Sequence, residues 1–149
     1  MTEPLALPEP TSQARSLIPI LGAMELEVLE VTPHSATARI PAEPNVNHFG
    51  AMYAGCLFTV AEVLGGLMAG FMDVPGALPL VKRVEIDFIR PALTAVTART
   101  TLSEEEFDRV QTEATANGKS NYELACEVTD EAGTVVARTR GYYQMRVMG

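Results

Sequence analysis

Residues 47–72 form the most constraining stretch of this sequence, because from Ala51 onwards they are apolar on every face of a helix except at Thr59 and Glu62. An isolated carboxylate in apolar surroundings is costly unless it is hydrogen-bonded, paired or protonated, and chains that keep one there often use it in chemistry. The alternative is that Glu62 merely faces a wet groove. A soluble helix that is apolar all round must be covered by other elements. The stretch therefore predicts a central helix, too apolar for one small sheet to cover, and hence a homodimer as the minimum folded unit.

A membrane span is the other interpretation of so apolar a stretch, and the sequence argues against it. Glu62 lies in mid-segment, no basic residue flanks the segment, and Asp73, Pro75 and Pro79 interrupt the hydropathy directly afterwards. A spanning helix needs about 20 apolar residues with few charges, and its orientation is set by flanking basic residues. We therefore expect a protein without a membrane partner.

The composition limits the classes of partner and compartment. With 149 residues, a formal net charge of −8 and a pI near 4.7, the chain fits one domain that does not bind nucleic acid. The first ten residues hold acids and three prolines where a signal peptide needs basic and apolar residues, so we expect a flexible tail over 1–10 and a single domain over 11–149. Cys56 and Cys126, the only cysteines, lie in apolar patterns and indicate a reduced, cytoplasmic protein without disulfides or metal. No cofactor is indicated.

Period-two alternation of apolar and polar residues predicts strands on both sides of the central helix. They fall at residues 24–28, 36–40, 84–88, 94–102, 122–129 and 134–147, with a hairpin turn over 130–133. A short helix is predicted over 11–17, with a stop near Pro19. Another helix begins at the capping box Ser103-x-x-Glu106 and ends at Asn117-Gly118. Two strands, a long helix and four antiparallel strands indicate an α+β fold with the sheet curled around the helix.

Three motifs give the sequence a family resemblance. They are Asn47-x-x-Gly50, then Gly55-x-Leu57-Phe58-x-x-x-Glu62, and Ile-Asp-Phe-Ile-Arg-Pro-Ala at residues 86–92. Together they resemble the hotdog-fold thioesterases of the phenylacetic-acid-pathway type, over roughly residues 24–147. With Met-Tyr-Ala-Gly at 52–55 and Val-Lys-x-Val-x-Ile-Asp-Phe at 81–88, the chain is most similar to an uncharacterised hotdog subgroup. The resemblance implies the hotdog fold, in which a curved antiparallel sheet of five to six strands wraps a long central helix.

The resemblance also implies roles for particular residues. In such enzymes an acid on the central helix activates water or attacks the thioester carbonyl, and this role falls on Glu62. Backbone amides at the start of the helix bind the developing oxyanion, which corresponds to Ala54 and Gly55, and Asn47 matches the asparagine that places the carbonyl or the water. The implied substrate is an acyl-CoA, or the same thioester on an acyl carrier protein. Family members complete the site across a homodimer interface, and further pairing into a homotetramer is left open.

Elementary helix geometry agrees with these roles. The first four N–H groups of a helix lack intrahelical partners and carry the positive end of the dipole, so Gly55 offers donors to an oxyanion. Glu62 lies seven residues later in the sequence, about 10 Å along a helix axis, which is too far for both to reach one carbon atom within a single chain. A second chain that supplies one of the two groups resolves this. Thr59 shares the face of Glu62, where its hydroxyl can bond the carboxylate, a water or, as helical threonines often do, its own backbone.

Other functions stay open because the sequence departs from the thioesterase pattern. Tyr53-Ala54 stands where many relatives have His-Gly, and Val81 where many have a Ser or Thr that supports the acid or water. These departures favour a homodimer that binds acyl-CoA or another lipid-like ligand without turnover, with the Tyr53 phenol as a contact. His48 precedes Glu62 by fourteen residues, a spacing similar to that of the catalytic pair in hotdog hydroxyacyl-thioester dehydratases.

Basic residues for the phosphates of CoA are few. Lys82, Arg83 and Arg90 cluster after the central helix and are the candidates, although solvated edge charges fit the same pattern. The glycines at 65, 66 and 70 predict room for an acyl chain beside the helix, with tight packing of helix on sheet as the alternative.

Overall fold

The computed structural model describes residues 9–149, in which four helices accompany a six-stranded sheet. In chain order the elements are α1 (Glu9–Leu17), α2 (Pro19–Ala23), β1 (Glu27–Val31), β2 (Ser35–Ile40), α3 (Ala54–Ala69), β3 (Ala77–Phe88), β4 (Val96–Thr101), α4 (Glu104–Asn117), β5 (Lys119–Thr129) and β6 (Val135–Val147). The strand order is β1-β2-β4-β5-β6-β3, and all neighbouring strands are antiparallel. The predicted α+β order, with a central helix and an antiparallel sheet, is confirmed.

Strand β3 forms one edge of the sheet. It pairs with β6 from Ala77 to Phe88, with a register shift at Lys82, and no strand within residues 9–149 pairs with its other edge. Leu78, Val81 and Phe88 on this strand are about half exposed. A long, partly apolar edge strand is a template for pairing with another chain.

Helix α3 packs on the inner face of the sheet with one side only. Val60, Leu64 and Met68 lie on that side, because side chains four residues apart share one helix face. Each has at most 1% of its surface exposed. The other side carries four residues that also repeat every four positions and are called here the open stripe: Ala54, Phe58, Glu62 and Gly66. Glu62 is half-buried, and the other three residues are exposed. The sheet therefore leaves the open stripe uncovered.

Local sequence signals fix the ends of α4 and the turn between β5 and β6. The Ser103 hydroxyl accepts a hydrogen bond from the N–H of Glu106 at 3.1 Å, and Gly118 ends the helix with φ of 82°. Gly133 has φ of 83° in the predicted hairpin turn, where the Asp130 carboxylate accepts from two backbone N–H groups. These φ values suit glycine because it has no Cβ to clash. The predicted helix ends and hairpin turn are confirmed.

The amino-terminal part differs from the prediction. Residues 9 and 10, which precede the predicted start of the first helix, are already helical in α1, and a further helix, α2, begins at Pro19, near which the first helix was expected to stop. Proline suits a first helical turn because its missing N–H has no intrahelical acceptor there. Strand β1 consequently begins at Glu27, later than the alternation from Met24 suggested, although Met24 and Val28 are buried.

Residues 1–8 of the predicted tail lie outside the described residues. Between residues 9 and 149, no helix has both the length and the apolar character that crossing a bilayer demands.

Candidate functional site

The loop that leads into α3 is held by Asn45, a buried residue that the sequence analysis missed. Its side-chain amide donates to the carbonyls of Met24 at 2.8 Å and Pro41 at 3.0 Å, and its backbone carbonyl accepts from the N–H of Tyr53 at 2.8 Å. The Cys56 thiol lies 3.5 Å from its Oδ1. Asn45 thus ties the start of α3 to the end of β2 and to the α2–β1 junction. Only its turn-favouring residue type marked it in the sequence.

Asn47 shapes the tight turn that follows. Its Oδ1 accepts from the N–H groups of Phe49 at 2.9 Å and Ala51 at 3.2 Å, and its backbone N–H donates to the Ala51 carbonyl at 2.7 Å. Its Nδ2 has no acceptor among residues 9–149. The oxygen of the side chain therefore fixes the loop, while two N–H donors remain for a ligand.

Helix α3 begins without a side-chain cap, and this leaves backbone donors free. The N–H groups of Cys56 and Leu57 donate to the Tyr53 carbonyl, whereas those of Ala54 and Gly55 have no acceptor within the described part of the chain. Both amides lie at the positive end of the helix dipole and can bind an oxyanion. The Tyr53 ring lies over Gly55, where a Cβ would come within 2.6 Å of Cε2, so glycine allows this close approach.

A cavity of about 590 Å³ opens beside the start of α3. Asn47, Ala54 and Arg90 lie in its wall, and the rest of the wall is largely apolar, with Leu57 and Phe88 among its members. An apolar cavity with a few converging polar groups is typical of a small-molecule site. The structure thus brings together three of the predicted site residues.

Glu62 lies outside that cavity, on the open stripe in the middle of α3. Burial raises the pKa of its carboxyl above the ordinary value, and the carboxylate has no hydrogen-bonding or ion-pair partner among residues 9–149. Its backbone carbonyl accepts a hydrogen bond from the Tyr143 hydroxyl at 2.9 Å. Two helical turns, about 10 Å, separate Glu62 from Gly55. Within one chain, the Glu62 carboxylate and the N–H groups at the start of α3 therefore do not reach the same substrate atom.

The other polar candidates near α3 make different contacts. The Thr59 hydroxyl donates to the Gly55 carbonyl at 2.8 Å, which is the backbone bond given above as an alternative. His48 is exposed, and its ring lies tilted by 39° against that of Phe49, with 3.9 Å between ring centroids. No hydrogen bond joins His48 to Glu62 within the described residues. Burial raises the pKa of the Cys56 thiol, which disfavours a thiolate nucleophile.

The three basic candidates do not form one cluster. Arg90 lies in the cavity with Asn47. Lys82, on the bulge of β3, borders a second cavity of about 560 Å³, which is also bordered by Tyr143. The Arg83 guanidinium lies 3.3 Å from the Glu85 carboxylate. Of the three, Arg90 is the one that shares a cavity with the start of α3.

The space expected beside the glycines of α3 is only partly present. At Gly65 the Tyr143 ring occupies the position that a Cβ would take, and Leu64 and Met68 are buried in the core. Tight packing, the alternative to an acyl path, is therefore the arrangement at Gly65. At Gly66 no atom of residues 9–149 lies within 4 Å of a Cβ position.

Comparisons with known proteins identify relatives of the chain. Residues 11–147 match the model of a domain of unknown function, DUF4442. A crystal structure of a protein of unknown function from Pseudomonas aeruginosa, described as a probable thioesterase, is 34% identical with a TM-score of 0.87, over 95% of this chain and 97% of that one. No curated protein matches the sequence.

Two more distant structures share the fold. A thioesterase from Haemophilus influenzae is 15% identical with a TM-score of 0.71, over 93% of this chain and 92% of that one. A thioesterase from Staphylococcus aureus is 17% identical with a TM-score of 0.70, over 85% of this chain and 98% of that one. The latter has been crystallised as variants in which a glutamine, and a glutamate fifteen residues further on, are each replaced by alanine.

The relatives agree with the resemblance drawn from the motifs. The P. aeruginosa structure superposes over nearly the whole chain, including the six-stranded sheet and its central helix. The predicted hotdog fold is thereby confirmed. The chain belongs to the DUF4442 family, within the hotdog-fold thioesterase superfamily.

Proposed function

We propose that this protein is a thioesterase that hydrolyses an acyl thioester of CoA, or of an acyl carrier protein, at a site formed by two copies of the chain. The observation that carries the proposal is the pair of unpartnered N–H groups at Ala54 and Gly55, at a helix start where Asn47 and Ala54 line a largely apolar cavity. Donors aimed at a developing oxyanion, in a site from which water is excluded, supply the largest single contribution to catalysis in many acyl transfers.

Glu62 supplies the group that activates water. Its carboxylate takes a proton from a water molecule as the water oxygen attacks the thioester carbon, and the N–H groups of Ala54 and Gly55 bind the carbonyl oxygen as it becomes negative. The C–S bond then breaks, and the departing thiolate receives the proton, so that a carboxylic acid and a thiol leave. In the alternative course Glu62 attacks the carbon itself, and water hydrolyses the resulting anhydride. The Nδ2 donors of Asn47 place the carbonyl or the water.

A second copy of the chain is needed to bring the acid to the amides. Antiparallel pairing of two β3 edges about a twofold axis along their whole length sets the Phe88 end of one strand, beside the cavity, against the Ala77 end of the partner strand. Within each chain, Val81 on β3 pairs with Tyr143, whose hydroxyl is bonded to the Glu62 carbonyl, so Glu62 is linked to the edge strand through one neighbouring strand. In the proposed dimer the second Glu62 approaches the cavity across this seam, and the second copy covers both open stripes. The homodimer is accordingly the minimum active unit.

The substrate carries phosphate, and Arg90 is the residue best located to bind it. Its guanidinium shares the cavity with Asn47, and it forms no ion pair among residues 9–149. A guanidinium offers a planar set of donors that matches phosphate oxygens. Lys82, on the bulge of the edge strand, is the second candidate, and Arg83 is the weakest because it already pairs with Glu85.

The relatives support the reaction class. The P. aeruginosa protein is described as a probable thioesterase, and the H. influenzae and S. aureus proteins as thioesterases. In the S. aureus protein the two substituted positions lie fifteen residues apart, and Asn47 and Glu62 have the same separation. The equal spacing fits an amide side chain and an acid that serve one site.

The test is hydrolysis of acyl-CoAs of increasing chain length, with thiol release measured directly. Glu62→Gln keeps the shape of the side chain and removes the base, so kcat should fall by at least about a hundredfold. Glu105→Gln, an exposed carboxylate on α4, is the matched control and should keep the parental rate. A parental rate in Glu62→Gln would exclude Glu62 from the chemistry. Binding of acyl-CoA without thiol release at any chain length would instead identify a non-catalytic ligand-binding dimer.

The pH dependence gives a second measurement on the same variants. Burial raises the pKa of Glu62, and the base works only when ionised, so kcat/KM should rise with pH around a midpoint above that of an exposed glutamate.

The raised pKa of Glu62 also predicts how stability depends on pH. A carboxyl whose pKa is higher in the folded state stabilises the fold at low pH, and this contribution is lost as the pH rises through the folded pKa. Glu62→Gln should therefore unfold at a higher temperature than the parent at neutral pH, and the gain should disappear below the ordinary glutamate pKa. An equal or larger gain at low pH would contradict the raised pKa.

A further inference from the structure

Composition alone does not fix the rotation of α3 about its own axis, because both sides of the helix are largely apolar. Its buried side carries Val60 and Leu64, and its open stripe carries Phe58 beside a single acid. A helix that is apolar all round gains similar burial over a range of rotations, since no polar face is forced towards water. The direction of the Glu62 side chain must therefore be fixed by specific contacts.

Tyr143 makes such contacts on the sheet side of α3. Its hydroxyl donates to the Glu62 carbonyl at 2.9 Å, and only 5% of the residue is exposed. Its ring fits against Gly65 on the helix and Gly141 on its own strand, and a Cβ at either glycine would overlap ring atoms. Side chains in such close packing are confined to one rotamer. The ring and the hydroxyl thus hold one point of α3 at the residue that carries the acid.

We propose that Tyr143 is the positioning residue of the site, because it sets the rotation of α3 and with it the direction of the Glu62 carboxylate. This inference rests on the role proposed above for Glu62. The pKa of the Tyr143 phenol reflects how close the two groups are. Burial is the larger cause that raises this pKa, and the nearby Glu62 charge raises it further. Catalytic groups lose rate steeply when they are misplaced by even about 1 Å.

Tyr122 offers a matched control within the same layer. Its ring stacks on that of Tyr143, with 5.4 Å between centroids and 16° between planes, and it is buried to a similar degree. Its hydroxyl also donates to a carbonyl of α3, that of Gly65, at 3.3 Å. Tyr122→Phe and Tyr143→Phe therefore remove the same kind of bond from the same helix, and only Tyr143→Phe removes it at Glu62.

The deciding experiment is a titration of the Glu62 carboxyl by carbon NMR in the full-length parent and in both variants. Tyr143→Phe should lower the midpoint by at least about 0.5 pH unit, since a helix free to turn gives the carboxylate more water, whereas Tyr122→Phe should leave it unchanged. With acyl-CoA as substrate, Tyr143→Phe should lower kcat about tenfold with little change in KM, and Tyr122→Phe should not. Thermal unfolding of each variant checks that both are folded.

Two outcomes would overturn the inference. One is an unchanged Glu62 midpoint in Tyr143→Phe, and the other is an equal shift in Tyr122→Phe, which would indicate general loosening of the core. The titration does not depend on turnover. A parent without thioesterase activity would therefore remove the proposed function, while the midpoints still decide the role of Tyr143.

Discussion

The two sides of α3 differ in what covers them, although both are apolar. On the packed side, Leu64 and Met68 are buried against the sheet. On the open stripe, Phe58 has 36% of its surface exposed and Gly66 is exposed as well. Apolar composition alone therefore does not say which neighbour covers a helix face. The packed side is covered by this chain, and in the proposed dimer a second copy would cover the open stripe.

Two adjacent glycines of α3 differ in the same way as the two sides of the helix. Gly65 faces the sheet, and the space beside it is filled by the Tyr143 ring, so glycine is required there for packing. Gly66 faces outwards, and its Cβ position has no neighbour within 4 Å in the described part of the chain. One residue type thus serves two purposes at consecutive positions, and each can be tested by adding a single methyl group.

The largest effect is expected from a charge on the open stripe. Phe58→Glu would place a carboxylate one turn before Glu62, in the surface that the proposed dimer buries, and a buried unpaired charge costs several kcal/mol. We expect the dimer to dissociate and kcat/KM to fall by at least about a hundredfold, because the acid and the oxyanion donors are separated. Light scattering and thiol release measure the two changes.

The control for Phe58→Glu is a similar change at the opposite edge of the sheet. Leu29 on β1 is 53% exposed, so Leu29→Glu also replaces an exposed apolar side chain by a charge. It should leave both assembly and turnover unchanged. A dimeric and active Phe58→Glu protein would show that the open stripe lies outside the interface.

Gly65→Ala should have the next largest effect, on the packed side. The added Cβ would overlap the Tyr143 ring, and Gly141 on the other side of the ring leaves it little room to move. With overlaps on both sides of the ring, we expect a cost in the upper part of the usual range of about 1–3 kcal/mol for overpacking, which exceeds the gain of about 1 kcal/mol in helix propensity. The melting temperature should fall by roughly 2–8 °C, measured by calorimetry. A melting temperature equal to or above that of the parent would mean that the ring is not fixed against α3.

The fold could be predicted because its signals are local. Alternating residues marked the strands, and the capping box at Ser103 and the glycine at 118 marked the ends of α4. Helix α2 escaped prediction because its five residues are too few for a helical period, and Pro19 was interpreted as a stop rather than a start. Because α2 was missed, the start of β1 was also predicted too early in the sequence.

The site was predictable only where a motif marked it. Asn47, Ala54 and Arg90 meet in one cavity as members of such motifs. Asn45 and Tyr143 were missed because their partners are distant in sequence: the Asn45 amide reaches a carbonyl 21 residues away, and the Tyr143 hydroxyl one 81 residues away. Period and spacing within a segment carry no information on such contacts, which exist only once the sheet has closed over the helix.

The smallest effect is expected from Gly66→Ala on the open stripe. In a single chain the methyl group meets no neighbour, so the change should stabilise α3 by up to about 1 kcal/mol through helix propensity alone. In a dimer that buries the stripe, the same methyl group must fit against a second chain, and part of the gain is lost. We therefore expect a larger rise in melting temperature when Gly66→Ala is added to the Phe58→Glu monomer than when it is added to the parent, by roughly 2–4 °C at most. An equal rise in both backgrounds would mean that Gly66 faces water in the assembled protein, and the surface buried by the second copy would then end before that turn of the helix.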